Sequence, residues 1–162
     1  MGIYDTILVP TDGSPGSSRV LTHAEELARV HDASIHALYV IDATNLAGLP
    51  METSWEGIRS VFEKEGETVL DQARRVVEDV PVETTVAEGS PSREIVRFAS
   101  ENAVDAIVMG THGRGGIDRL LLGSVAERVV RDAPVPVITV TVGRDVDADD
   151  PLVTETPAPG PG

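Results

Sequence analysis

The sequence predicts an α/β fold: a doubly wound parallel sheet of five strands, sandwiched by four helices. Five short apolar runs alternate along the chain with four stretches that have helical periodicity. The strand runs are almost continuously apolar, which is typical of parallel strands that are buried on both faces. Right-handed crossovers between such strands place helices on both sides of the sheet.

The first third of the chain predicts a strand, a helix and a second strand. Residues 3–10 read Ile-Tyr-Asp-Thr-Ile-Leu-Val-Pro, a strand that ends at a proline and a Thr-Asp-Gly-Ser turn. Residues 17–31 predict a helix, because a serine can cap its start and apolar residues recur on one face. Residues 34–42 predict a buried strand.

The middle of the chain continues the alternation. Residues 43–55 are rich in small residues and predict a loop, and residues 56–79 predict a long helix. A strand is expected over residues 82–87. The Gly-Ser-Pro-Ser sequence that follows breaks the chain and caps a helix expected over residues 92–102.

The last third predicts a strand at residues 105–110, a glycine-rich stretch at 111–118 and a helix at 120–131. A final strand is expected at residues 136–142. Residues 1–143 therefore form one predicted domain. Residues 144–162 are rich in Asp, Pro, Gly and Thr with few large apolar residues, so we expect a disordered acidic tail.

The composition is strongly acidic and contains no cysteine. Asp and Glu number 27 against 13 Lys and Arg, a formal net charge of −14, and Lys64 is the single lysine. This balance predicts adaptation to a salty cytoplasm, with an acidic protein of an ordinary cytoplasm as the alternative. It disfavours nucleic-acid binding, and no apolar run is long enough to predict a membrane span. The absence of cysteine excludes disulfides, thiolate metal sites and a cysteine nucleophile.

Two segments follow predicted strands at the edge of the sheet where ligands bind in such folds. One is residues 9–14; the other is the glycine-rich residues 109–116, which lead to Gly123 and Ser124. Glycines there can take positive φ and leave main-chain N–H groups open to an anion. A helix start after Gly123 adds unpaired N–H groups, so phosphate binding is favoured over a simple turn. Val125, and not a lysine, follows Gly123-Ser124, so this is not a Walker A loop.

The spacing Gly110-x-x-Gly113-(nine residues)-Gly123-Ser124 resembles the ATP-binding signature of the universal stress protein family. The wider sequence of residues 110–137 and the opening Ile-Leu-Val-Pro-Thr-Asp-Gly-Ser are also similar to that family. The resemblance covers about residues 3–142. It implies an adenine nucleotide α-hydrolase-like fold with strand order 3-2-1-4-5.

The resemblance also implies roles at matching positions. Asp12 would contact the adenine or ribose, although a turn-capping role is the alternative, and Val40 would pack against adenine or belong to the core. By its own chemistry, His112 would meet phosphate as a cation or have no contact with the ligand, and Arg114 would pair with phosphate or stay solvated, the second being favoured. The implied nucleotide-binding set is Pro10, Thr11, Asp12, Val40, Met109, Gly110, His112, Gly113, Arg114, Gly123, Ser124 and Val125.

Three functions remain in competition. The favoured one is a cytoplasmic signalling module that binds ATP or another adenine nucleotide, with Mg²⁺ or Mn²⁺ on the phosphates. The second is a slow ATP hydrolase in which Asp12 orients water. The third is an interaction protein that does not need the nucleotide. The resemblance implies a homodimer through the last strand, between Val135 and Val142, whose edge invites pairing.

Overall fold

The structure is a computed structural model that describes residues 2–43, 55–112 and 122–142. Strands and helices alternate through these ranges as the sequence predicts. The strands are β1 (Thr6–Pro10), β2 (Ser34–Asp42), β3 (Val82–Gly89), β4 (Ala106–Gly110) and β5 (Val137–Val140). The helices are α1 (Ser17–His31), α2 (Trp55–Val76), α3 (Pro91–Glu101) and α4 (Ser124–Asp132).

The five strands form one sheet in the order β3-β2-β1-β4-β5, and every neighbouring pair is parallel. This confirms the predicted fold and strand order. In the register of the central strand, Ile7 is paired with Ile35 of β2 on one side and Ala106 of β4 on the other. The direction of winding reverses between β1 and β4, so their carboxyl ends border the crevice where such folds bind ligands.

Side chains of successive strand residues point to opposite faces, and each face carries its own apolar core. Ile7 and Val9 face the core built with α1 and α2, whereas Leu8 faces the core built with α3 and α4. These three side chains are completely buried. The continuous apolar run in the sequence follows directly from this arrangement, since both faces of β1 are covered.

Two carboxylates tie neighbouring elements together through main-chain N–H groups. Asp105 Oδ2, just before β4, accepts hydrogen bonds from the N–H groups of Asp5 (2.8 Å) and Thr6 (2.9 Å). These bonds fix the start of β1 against the start of β4. Glu25 Oε2 of α1 does the same for the turn after α2, accepting from Glu78 at 2.7 Å and Asp79 at 2.6 Å.

Several element boundaries differ from the sequence prediction; for example, α2 ends at Val76 rather than at position 79 and β3 extends to Gly89 rather than to position 87. β1 begins at Thr6, and Ile3 lies before it with 80% of its surface exposed. α4 begins at Ser124 rather than near position 120, because Gly123 has extended backbone angles (φ −73°, ψ 169°) and Leu122 precedes the helix. β5 ends at Val140, two residues earlier than expected.

The predicted tail at residues 144–162 lies outside the described residues, as does most of the predicted loop at 43–55. Within the parts of the chain that the structure describes, no helix combines the length and apolar character needed to cross a bilayer.

Candidate functional site

The candidate site lies where the carboxyl ends of β1 and β4 meet the amino end of α4. The turn after β1 is built by short side chains that hydrogen-bond locally. Thr11 donates its N–H to the Leu38 carbonyl oxygen (2.9 Å), and its hydroxyl donates to Ser17 Oγ (3.3 Å). Asp12 Oδ1 accepts from the Ser14 N–H (2.9 Å), and Gly13 has a φ of 77° that favours glycine. Asp12 therefore caps this turn through Oδ1, and its contact with the adenine or ribose stays a prediction.

β4 ends at Gly110, where the backbone is crowded. A Cβ at this position would lie 3.3 Å from the carbonyl oxygen of His112 and 3.3 Å from Val142 Cγ2. Gly110 does not use the positive φ that is open to a glycine; among the glycines that the structure describes, Gly13 and Gly89 do. Gly110 is instead needed for close approach of the chain that follows it.

The amino end of α4 presents donors toward the same place. Gly123 donates its N–H to the Thr111 carbonyl oxygen (2.7 Å), so this N–H is used within the fold. The first intrahelical bond runs from Glu127 to the Gly123 oxygen (2.9 Å), and Gly123, the N-cap residue, has no side chain that could cap the helix. The N–H groups of Ser124, Val125 and Ala126 therefore have no acceptor within the helix. Together with the helix dipole they favour an anion at this end.

His112 stands beside this helix start. Its Nδ1 lies 3.2 Å from Thr111 Oγ1, while its Nε2 is buried and has no hydrogen-bonding partner in the described parts of the chain. A Cβ placed on Gly123 would lie 3.6 Å from His112 Cδ2, the ring atom bonded to Nε2. A buried polar atom without a partner is costly, and such atoms often mark the place of a ligand or water.

The remaining predicted residues divide into core and rim. Met109, 6% exposed, belongs to the core under α3 and α4, and Val40 and Val125 pack against that core. Pro10 ends β1 and is half-buried. Ser124 is exposed at the first turn of α4. Gly113 and Arg114 lie outside the described residues.

The structure also brings in two residues that the sequence prediction did not include. Thr111 is 7% exposed, and its hydroxyl accepts a hydrogen bond from the Val142 N–H at 3.2 Å. Val142 is also 7% exposed, and a Cβ on Gly16 would lie 2.7 Å from its Cβ and Cγ1. Val142 thus covers the start of α1 and the end of β4. The only sequence signal for Thr111 is a hydroxyl side chain directly after a fully apolar strand.

Comparison with known proteins agrees with this architecture. The model of the universal stress protein family matches residues 3–141, nearly all of the predicted domain. The chain belongs to the universal stress protein family. Universal stress protein MJ0531 of Methanocaldococcus jannaschii is 44% identical over 140 residues, which cover 85% of this chain and 82% of that protein.

Two solved structures of related proteins have folds similar to that of this chain. The structure of MJ0577, also from M. jannaschii, superposes with a TM-score of 0.78 at 29% identity, and the match covers 86% of this chain and 97% of that one. A universal stress protein solved in complex with cAMP superposes with a TM-score of 0.61 at 25% identity, covering 85% of this chain and 97% of that one. The resemblance drawn from the two sequence segments is thereby confirmed at the level of the family.

Proposed function

We propose that this universal stress protein is a cytoplasmic module that binds ATP, or another adenine nucleotide, at the crevice between β1 and β4. The observation that carries this proposal is that His112, whose buried Nε2 has no partner among the described residues, lies against Gly123 at the amino end of α4. The main-chain N–H groups donate hydrogen bonds, His112 Nε2 donates when it carries hydrogen, and a phosphate supplies oxygens to both. The known complex of a related protein with cAMP supports an adenine nucleotide as the ligand.

The base and ribose would lie on the β1 and β2 side of the phosphates. Pro10, Thr11 and Asp12 form the rim after β1, and Val40 lies near the end of β2. These residues offer an apolar wall beside a carboxylate, a combination suited to a purine and a ribose hydroxyl. Gly113 and Arg114 complete the set that the family resemblance implies around the phosphates.

We expect Mg²⁺ or Mn²⁺ to arrive with the nucleotide rather than at a protein cage. Within the described residues no group of three or more His, Asp or Glu side chains is arranged to hold a metal ion. Both ions bind phosphate oxygens readily and keep several waters. The His112 and α4 donors would then position the phosphates without contacting the metal.

We propose binding rather than rapid catalysis as the function. Phosphoryl transfer needs charged groups that clamp the phosphates and a group that orients the nucleophile. The single lysine, Lys64, lies on α2, and the Oδ1 of Asp12 is held by the Ser14 N–H. Slow hydrolysis remains the alternative, and turnover that is lost in Asp12→Ala would support it.

A charge placed at the start of α4 tests the proposal. Ser124→Asp puts a carboxylate where the phosphates would bind, while acidic residues in the first turn stabilise a helix. We expect ATP affinity, measured by titration calorimetry in KCl, to fall by about tenfold or more, with the melting temperature kept or raised. Adenosine, which has no phosphate, should bind Ser124→Asp as it binds the parent.

Ser100→Asp is the matched control, because it makes the same change at an exposed position near the carboxyl end of α3, at the opposite edge of the sheet. It should leave ATP affinity unchanged. The proposal is wrong if Ser124→Asp binds ATP as tightly as the parent, or if the parent binds no adenine nucleotide.

A further inference from the structure

Thr111 connects three parts of the candidate site through its own polar atoms. Its N–H donates to the Val140 carbonyl oxygen (3.0 Å), and its carbonyl oxygen accepts from Gly123 (2.7 Å). Its hydroxyl lies 3.2 Å from the Val142 nitrogen and 3.2 Å from His112 Nδ1. The residue is 7% exposed, so each of these polar groups depends on a protein partner.

The direction of the two hydroxyl contacts follows from the chemistry of the partners. The Val142 main-chain nitrogen can only donate, so Thr111 Oγ1 accepts that hydrogen bond. The hydroxyl keeps one proton, and His112 Nδ1 is its partner among the described residues. If Nδ1 instead carried a proton and donated, the hydroxyl hydrogen would be left buried and unpaired, at a cost in free energy. The satisfied arrangement therefore has Oγ1–H donating to Nδ1.

This arrangement fixes the tautomer of the ring. A neutral imidazole carries one hydrogen, and with Nδ1 accepting, that hydrogen lies on Nε2. Nε2 is buried and has no partner among the described residues, and Cδ2, the ring atom bonded to it, lies near Gly123. His112 thus offers a hydrogen-bond donor beside the start of α4 without needing a positive charge.

We propose that Thr111 is a positioning residue that holds His112 as the Nε2–H tautomer, so that the ring donates to a phosphate oxygen of the bound nucleotide. This inference rests on the proposed nucleotide-binding function and assigns to Thr111 a role that the glycine signature does not include. The hydrogen bonds form a chain in which the Val142 N–H donates to the Thr111 hydroxyl and the hydroxyl donates to His112 Nδ1. The segment that follows β5 therefore sets the donor that would meet the ligand.

The test begins with the ligand-free protein. Long-range ¹H–¹⁵N correlation spectra of histidine-labelled protein at neutral pH report which ring nitrogen carries hydrogen, and His112→Gln identifies the His112 signals. We expect Nε2 to be protonated and Nδ1 to be unprotonated in the parent and in Thr111→Ser, which keeps the hydroxyl. Thr111→Val keeps the side-chain volume but lacks the hydroxyl. The ¹⁵N chemical shift of His112 Nδ1 should therefore move to the value of a ring nitrogen that accepts no hydrogen bond.

The second measurement is nucleotide affinity. Thr111→Val should bind ATP about fivefold more weakly, the usual worth of one hydrogen bond, and adenosine with unchanged affinity. Thr111→Ser should stay within about twofold of the parent. Ile95→Val removes a buried methylene from α3 at a comparable cost in stability, and it should change neither the spectrum nor the ATP affinity.

Two results would overturn the inference. One is a parent spectrum with the hydrogen on Nδ1 of His112; the other is Thr111→Val retaining the parent spectrum and the parent ATP affinity. If the parent bound no ATP, the proposed function and the phosphate contact would both fail. The ligand-free spectrum would still decide whether Thr111 sets the His112 tautomer, so the two failures are distinguishable.

Discussion

His36 lies on β2 with its ring partly buried against Phe98 of α3, at 4.6 Å between ring centroids. Its Nε2 is 2.7 Å from Thr85 Oγ1, and its Nδ1 is 3.6 Å from Glu83 Oε1 on the exposed side of β3. Burial lowers the pKa of His36 below its ordinary value of 6.5, and the Glu83 carboxylate opposes this by raising it. The net direction is downward, so the folded state favours the neutral ring.

The lowered pKa predicts how stability depends on pH. Between the folded pKa and 6.5, the unfolded chain binds a proton that the folded protein does not, so this stability is present above pH 6.5 and lost as pH falls. We expect the free energy of unfolding in urea to fall more between about pH 7.5 and about pH 5 in the parent than in His36→Gln, which does not titrate. Parallel pH profiles of the two proteins would contradict this assignment.

Single residues also show what the sequence could not reveal. Asp105 accepts hydrogen bonds from two N–H groups at the start of β1, about a hundred positions earlier in the chain. No local sequence pattern predicts such a contact. Thr111 was predicted only as the beginning of a glycine-rich stretch. Its importance comes from Val142, which reaches it because β4 and β5 are neighbours in space.

Helices and strands were predictable from the sequence where the hydrophobic periodicity agrees with the positions of capping residues, Gly and Pro. α1 has the predicted bounds, and the Gly-Ser-Pro-Ser break before α3 places Pro91 at its first residue. The start of α4 was predicted too early because apolar periodicity continues through Leu122, whereas the extended backbone of Gly123 prevents the helix from beginning there. Periodicity alone does not report backbone angles.

β5 is the edge strand of the described sheet, next to β4 only, and we propose that it pairs with a second copy of the chain. The Pro136 carbonyl oxygen accepts from the Ile107 N–H of β4 (2.9 Å), and the Val140 carbonyl oxygen accepts from the N–H of Thr111, just after β4 (3.0 Å). Peptide groups alternate in direction along a strand, so the N–H of Thr139 faces away from β4. It is available to a partner strand.

Thr139→Pro is therefore expected to convert the dimer to a monomer. The substitution removes the outward N–H and leaves the bonds to β4 in place, since proline is tolerated at the open side of an edge strand. Light scattering after size-exclusion chromatography should give twice the mass of one chain for the parent and the mass of one chain for Thr139→Pro. Thr139→Ala keeps the N–H and should remain dimeric. A parent that is already monomeric would exclude the proposed pairing.

On the scale of the whole molecule, the dominant property is a formal net charge of −14. Excess like charge destabilises the compact state, and dissolved salt screens that repulsion. The described ion pairs, such as Arg74 with Asp71 and Arg97 with Glu94, lie mostly on the surface and offset little of this repulsion between like charges.

The charge predicts that salt stabilises the protein. The urea midpoint should rise when KCl increases from about 0.1 M to about 2 M, because the Debye length falls to about 3 Å near 1 M. A rise that continues into the molar range would favour adaptation to a salty cytoplasm, and one that is complete by about 0.3 M would favour the alternative of an acidic protein of an ordinary cytoplasm. A midpoint that does not change would contradict both.

The position of Val142 has a consequence for how the molecule is made. Its side chain covers Gly16 and the end of β4, and its N–H donates to Thr111. Both contacts can form only after the ribosome has synthesised the chain through residue 142. A nascent polypeptide still holding residue 142 inside the ribosome lacks this cover and this donor. Under the proposed function, a nascent chain would therefore gain the complete nucleotide site only after residue 142 has left the ribosome.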